Sequence, residues 1–299
     1  MLLSRMNCPV RIRLFLPVLA AMLLSGAAQA QQTLPAVPSL TQKPPPVTLG
    51  QVTLTTSAVF PDNQPIRSGL VWRVYEDKGD TTQPTIIARS SSPTPSFTLT
   101  PGNYIVHVAY GFAGASKRLT IQSGGLSERL VISAGALKLK GAVGDSAIPA
   151  SKLSFSVYVP IGSNSEGRLV IANARADDVI RLPEGTYHVV STYGDANAIM
   201  RADLKVETGK VTEATLNHRA ATVTLKLVAN EGGEAFAGTA FSVLTPGGDV
   251  IREAIGAFPS VTLAEGDYVL IARHDGKVQT RDFKVESGLD RDVEIVAKP

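Results

Sequence analysis

If this chain performs chemistry, it needs groups that hold protons, metals or ligands, and few positions offer them. The stretch LTPGNYIVHVAYG, residues 99–111, is the densest, with Tyr104, His107 and Tyr110 on one short run. Phenol and imidazole together could bind a ligand or pass a proton near neutral pH. The run recurs as LPEGTYHVVSTYG (182–194) and as LAEGDYVLIARHDG (263–276). A site shared by the copies must repeat in register. Tyr104, Tyr187 and Tyr268 do so, each two residues after a glycine: Gly102, Gly185 and Gly266. The histidines do not. His107 stands where the other copies have Val190 and Ile271, and His188 where they have Ile105 and Val269. His218 falls in a connection, and His274 replaces a tyrosine.

This pattern favours structure over chemistry. A tyrosine just past a turn resembles a tyrosine corner, in which the phenol bonds to backbone slightly upstream. The turns themselves differ. Leu-Pro-Glu-Gly suits a type I turn with Pro183 at its first central position and Gly185 closing it. Thr-Pro-Gly-Asn suits a type II turn with Gly102 at positive φ. Trp72, the only tryptophan, could serve as a sugar platform, but its counterparts are Phe155 and Phe241 on an alternating strand. That is the pattern of a core position. Phe112, aligned with Asp195 and Lys277, reads as a solvent-facing loop aromatic.

Other motifs lack their essential parts. SNSEG (163–167) is not the glycine–x–serine–x–glycine of a nucleophile elbow. ANEGGEAFAG (229–238) lacks the alternating oxygen ligands of a calcium loop. YGFAGAS (110–116) opens no helix that could cradle a phosphate. RADD (175–178) and DRD (290–292) read as solvated turns or strand edges. Paired carboxylates for glycoside hydrolysis need only spatial proximity, and nothing here nominates a pair. No residue is nominated as catalytic, cofactor-binding or metal-ligating, and no cofactor is implied.

The N-terminus places these residues outside the cytoplasm. Residues 1–30 carry Arg5, Arg11 and Arg13, then the apolar LFLPVLAAMLLSG, then AQA, the three-part form of a signal peptide. The apolar run is shorter than the roughly 20 residues of a membrane span. Cleavage after Ala30 removes Cys8, the only cysteine, so thiolate chemistry and disulfides are excluded from the mature chain. The whole chain has 29 Lys+Arg and 26 Asp+Glu; without the signal's three arginines the counts are equal. A nucleic-acid-binding field is therefore not indicated. Residues 31–49, with five prolines, read as a semi-rigid linker.

Beyond it the chain repeats. Gly102 to Gly185 is 83 residues and Gly185 to Gly266 is 81. VWRVY (71–75), SFSVY (154–158) and AFSVL (240–244) align, as do LTIQSG (119–124), LKVETG (204–209) and FKVESG (283–288). The repeat starts align as GQVTLT (50–55), GALKLK (135–140) and ATVTLK (221–226). Alternation at period two dominates: Val52/Leu54, Trp72/Val74, Tyr104/Val106/Val108 and Leu119/Ile121. The expected fold is all-β, with three tandem small antiparallel β-sandwich domains at 50–134, 135–220 and 221–299. Their joins are short, which favours beads with restricted bending.

The L-x-x-G-x-Y-x-V run with its following Tyr-Gly and x-V-x-x-G strand resembles the tandem modules of bacterial envelope proteins. These are the immunoglobulin-like, transthyretin-like and carboxypeptidase-regulatory-like sandwiches. His274–Asp275–Gly276 departs from the Tyr-Gly of the other copies. The resemblance implies a periplasmic or secreted, non-enzymatic scaffold or interaction module. Its expected partner is another envelope protein, with polysaccharide as the second possibility; no nucleic acid and no transmembrane segment are expected. A carbohydrate-binding protein and a hydrolase with its site at a domain junction are the alternative readings.

Overall fold

The structure, a computed structural model, describes residues 50–79 and 84–298. The expected signal peptide (1–30) and proline-rich linker (31–49) lie outside the described residues. The fold is all-β. In the first repeat the strands are β1 (Val52–Val59), β2 (Leu70–Glu76), β3 (Thr85–Ser90), β4 (Ser96–Leu99), β5 (Gly102–Tyr110), β6 (Ala113–Ile121) and β7 (Leu126–Val131). Successive side chains on a strand face opposite sides, so period-two sequences bury one face. Trp72, Val74, Val106 and Val108 are fully buried, and their neighbours Arg73 and His107 are not.

The second repeat has β8 (Ala134–Val143), a short β9 (Ser146–Ala147), β10 (Leu153–Ile161), β11 (Asn164–Ala174), β12 (Val179–Pro183), β13 (Gly185–Tyr193), β14 (Ile199–Val206) and β15 (Val211–Asn217). The third has β16 (Ala220–Val228), β17 (Ala240–Leu244), β18 (Val250–Ile255), β19 (Ser260–Ala264), β20 (Gly266–His274), β21 (Lys277–Val285) and β22 (Arg291–Val296). Only a single 3-10 turn, Ala150–Lys152, interrupts the strands among the described residues.

Each repeat has two sheets of the same design. In the first the orders are β4-β1-β7 and β3-β2-β5-β6. The second has β12-β8-β15 and β11-β10-β13-β14, and the third β19-β16-β22 and β18-β17-β20-β21. Each encloses its own apolar core, centred on Trp72, Phe155 and Phe241 respectively. The described residues nevertheless hold together as one unit.

Three details depart from the sequence expectations. The sheets are not wholly antiparallel: first and last strands pair in parallel in every repeat, as Ala58 with Leu130, Gly141 with Leu216 and Leu227 with Ile295. A last strand parallel to the first lets the chain pass almost straight on into the next repeat. Next, the start register of the first repeat slips by two. The ladders set Val52, Gly135 and Ala221 opposite Leu99, Leu182 and Leu263, so Val52 rather than Gly50 matches Gly135. A two-residue slip preserves the alternation and is invisible to pattern matching. Finally, Gly102 is not in the positive-φ region, so the type II turn does not form. Gly102 instead opens β5, paired with Ile121.

Candidate interaction surface

The three tyrosines share one contact. Tyr104 Oη donates to the Thr100 carbonyl at 2.8 Å, Tyr187 Oη to Pro183 at 2.9 Å, and Tyr268 Oη to Ala264 at 2.8 Å. Each acceptor lies four residues upstream, across the turn that crosses from one sheet to the other. Burial pushes the Tyr187 phenol above its ordinary 10, so it stays a donor. Tyr187→Phe should therefore lower the second sandwich's stability by about 1 kcal/mol, the net worth of one hydrogen bond. Urea unfolding measures it; a midpoint identical to the unmodified protein's would contradict the contact.

The histidines are not brought together. His107 lies on the outer face of β5 beside Arg73, and burial with that cation holds it below the usual histidine range. His188 Nδ1 is 2.7 Å from Asp203 Oδ1 across the outer face of β13 and β14. His274 stacks on Phe236, with ring centroids 5.1 Å apart. His218 is buried, its Nε2 2.8 Å from Ser191 Oγ. Among the described residues no group of three or more His, Cys, Asp or Glu is placed to hold a metal ion.

The Ser191–His218 pair escaped the motif search because its members belong to a strand and a connection. One signal was present. Ser191 occupies an inward position that Val108 and Ala272 fill in the other copies, facing Phe155 as they face Trp72 and Phe241. A serine at such a position needs a partner. The pair is sealed from solvent, so it serves the core and not a substrate. Burial lowers the His218 pKa below its ordinary 6.5, opposed by a hydrogen bond to the Ala198 carbonyl. The unfolded chain thus takes up a proton at higher pH than the folded one. The stability of the second sandwich should be full above pH 6.5 and fall as pH drops below it. His218→Gln should flatten that part of the profile; a profile unchanged by the substitution would contradict it.

The repeats meet through one recurrent junction. At the first, Gly111 and Tyr110 close over Arg181 of β12. A Cβ on Gly111 would lie 2.5 Å from Arg181 Cβ, Phe112 N donates to Arg181 O at 3.0 Å, and the guanidinium sits 5.2 Å from the Tyr110 ring centroid. Phe60 packs against the Gly209 turn and edge-on to Tyr110. At the second, Gly194 meets Thr262, the counterpart of Arg181, and Val143 meets Gly288, the counterpart of Gly209. Asn197 adds two bonds, donating to Tyr268 Oη at 2.9 Å and accepting from Ala264 N at 3.0 Å. Arg252 and Asp195 form an ion pair at 2.5 Å.

Exposed apolar residues occur in all three repeats, and three of them lie along one edge of the third. β18 is the outer strand of its sheet and carries Val250 and Ile255; the following loop carries Phe258. Ile255 is 78% exposed, the most of any large apolar side chain described. Trp72, by contrast, has no exposed surface and forms no platform. Phe112 is half exposed. In the ladder Asp275, not Gly276, stands at the position of Gly111, so the counterpart of Phe112 is Gly276 and not Lys277.

The molecule is thus a chain of tandem β-sandwich repeats. Residues 222–297, nearly all of the third repeat, match the sequence model of the Rhizobiales growth-associated tandem repeat domain. No curated protein sequence matches the chain. Among solved structures, the Streptococcal ancillary pilin is similar at 12% identity over 83% of this chain and 99% of its own, with a TM-score of 0.28. The minor pilin GBS52 of Streptococcus agalactiae is 16% identical over 56% of this chain and 94% of its own, with a TM-score of 0.26. The TIE protein of Bacillus anthracis is 14% identical over 83% of this chain, with a TM-score of 0.24; the chain spans about half, 51%, of its length. These TM-scores are too low for a common global superposition.

Proposed function

We propose that the protein is an exported, non-enzymatic scaffold of the cell envelope that docks an envelope protein on the exposed edge of its third sandwich. The observation that carries this is β18, a strand edge unpaired among the described residues, with Val250 and Ile255 on the strand and Phe258 in the loop that follows. An open edge offers backbone donors and acceptors to an added strand, and flanking apolar side chains supply affinity. The corresponding edge β11 is less suited, since its pairing with β10 breaks register three times. Export follows from the signal-like N-terminus. Among the described residues no helix is long and apolar enough to cross a membrane. The match of the third repeat to a growth-associated tandem repeat domain supports a role linked to growth.

The three repeats are read as three domains, and the conserved partition of strands favours the transthyretin-like subtype. Immunoglobulin domains group their first, second, fifth and fourth strands in one sheet. Here the first strand joins the fourth and last, and the second joins the third, fifth and sixth. A fragment of residues 221–299 is expected to unfold cooperatively by itself; a non-cooperative trace would remove the domain reading.

The docking reading is tested by capture from native envelope with the unmodified protein and with an Ile255→Asp/Phe258→Asp variant. The unmodified protein should retain a discrete partner and the variant should lose it, with both sharing one unfolding temperature. Equal capture by the two would overturn the β18 assignment. Retention of the purified protein on a polysaccharide column, abolished by the same substitutions, would replace the protein partner with a carbohydrate.

A further inference from the structure

Among the described residues, the recurrent junction has one half without a counterpart at each outer end of the three repeats. Its donor half consists of the residue closing the first strand, the residue ending the fifth, and the turn after it. These are Phe60, Tyr110 and Gly111 in the first repeat, and Val143, Tyr193 and Gly194 in the second. In the third they are Ala229, His274 and Asp275. The acceptor half is a side chain on the fourth strand plus a turn glycine: Arg181 with Gly209, and Thr262 with Gly288. In the first repeat the same positions are Thr98 and Gly124.

Burial follows this division. Thr262 is buried and Arg181 half-buried, whereas Thr98 is exposed. Phe60 and Val143 are half-buried, whereas Ala229 is exposed. A Cβ on Gly111, Gly194, Gly209 or Gly288 would touch the neighbouring repeat, whereas one on Gly124 would meet open space and Asp275, at the Gly111 position, is exposed. The donor face of the third repeat is also concave, with Asp275, Lys277 and Lys298 bordering a mainly apolar hollow. Leu227, Ala229, Phe236, His274, Gln279 and Ala297 line a hollow of about 420 Å³. His274, the counterpart of Tyr193, stacks there on Phe236, while Tyr193 packs edge-on to His218.

We infer that this hollow docks the acceptor face of the first repeat of a second copy, in the geometry of the two internal junctions. The occupant is identified by shape: the internal donor faces each cover a fourth-strand side chain and a turn glycine, and Thr98 with Gly124 presents that pair. The interface joins unlike surfaces and does not close, so copies add head to tail. The inference extends the scaffold reading by giving the scaffold a way to lengthen.

Sedimentation equilibrium of the purified protein tests it. The average mass should rise continuously with concentration. Ala229→Glu on the donor face and Thr98→Glu on the acceptor face should each sediment as a monomer. An equal mixture of the two variants should form a dimer and nothing larger, since one intact donor meets one intact acceptor. A monomeric unmodified protein at every concentration would overturn the inference. So would a Thr98→Glu variant that still dimerises, because that contact would be donor to donor. Circular dichroism checks folding, and Lys277→Glu at the hollow and Gly125→Arg beside Gly124 replace any variant that unfolds. Absence of self-association in the unmodified protein, with its capture of an envelope partner intact, would remove this inference and leave the scaffold reading standing.

Discussion

Trp72→Ala should destabilise the first sandwich by about 3–5 kcal/mol, the usual cost of emptying a large aromatic site in a core. Trp72 has no exposed surface and is set between the two sheets against Val108 and its neighbours. A domain holds only about 5–15 kcal/mol in total, so the substitution removes a large share of its stability. Trp72→Phe should cost much less. The other repeats use phenylalanine at the same register, and the indole Nε1 has no hydrogen-bond partner to lose. Urea unfolding followed by circular dichroism should show one early transition for Trp72→Ala, with the remaining signal unmoved. A near-unchanged curve would mean that the ring is not the centre of the core. Quenching of Trp72 fluorescence by polysaccharide in the folded protein would contradict its burial outright.

The second large effect is expected at Gly111→Val. Gly111 has φ 63°, in the region that β-branched residues avoid, which alone costs about 1–2 kcal/mol. The added Cβ would also lie 2.7 Å from the Arg181 carbonyl and closer still to Arg181 Cβ. Those atoms belong to the next repeat, and the carbonyl is fixed backbone, so the junction has to open. Gly276→Val is the control. Its φ is 76°, but the added atom meets nothing, so it should show the backbone cost alone. Small-angle scattering should give a larger radius of gyration for Gly111→Val and no change for Gly276→Val. Equal radii for both would show that Arg181 does not hold the first two repeats together.

Much of the fold was legible because the chain offers three readings of each position. Tyr104, Tyr187 and Tyr268 recur, and each makes the same bond to a carbonyl four residues back. Trp72, Phe155 and Phe241 recur and are all buried. What failed to be legible has physical reasons. Alternation repeats every two residues, so it could not distinguish Gly50 from Val52 as the partner of Gly135. It also carries no strand direction, and the parallel ladder joins residues far apart in sequence, such as Leu54 and Leu126. The junction was hidden for the opposite cause. Its key side chain differs at every copy, as Thr98, Arg181 and Thr262, so recurrence could not reveal it. The Ser191–His218 bond exists once and crosses from a strand to a connection, which no spacing rule describes.

The central claim is that the protein acts by docking an envelope protein on β18, and site-specific photo-cross-linking in the native envelope tests it most directly. A photoreactive residue in place of Ile255 should give a discrete cross-linked product of higher mass. The same residue in place of Val211, also apolar and exposed but on the second repeat, should give none. Cross-linking at both positions alike, or at neither, would contradict the account.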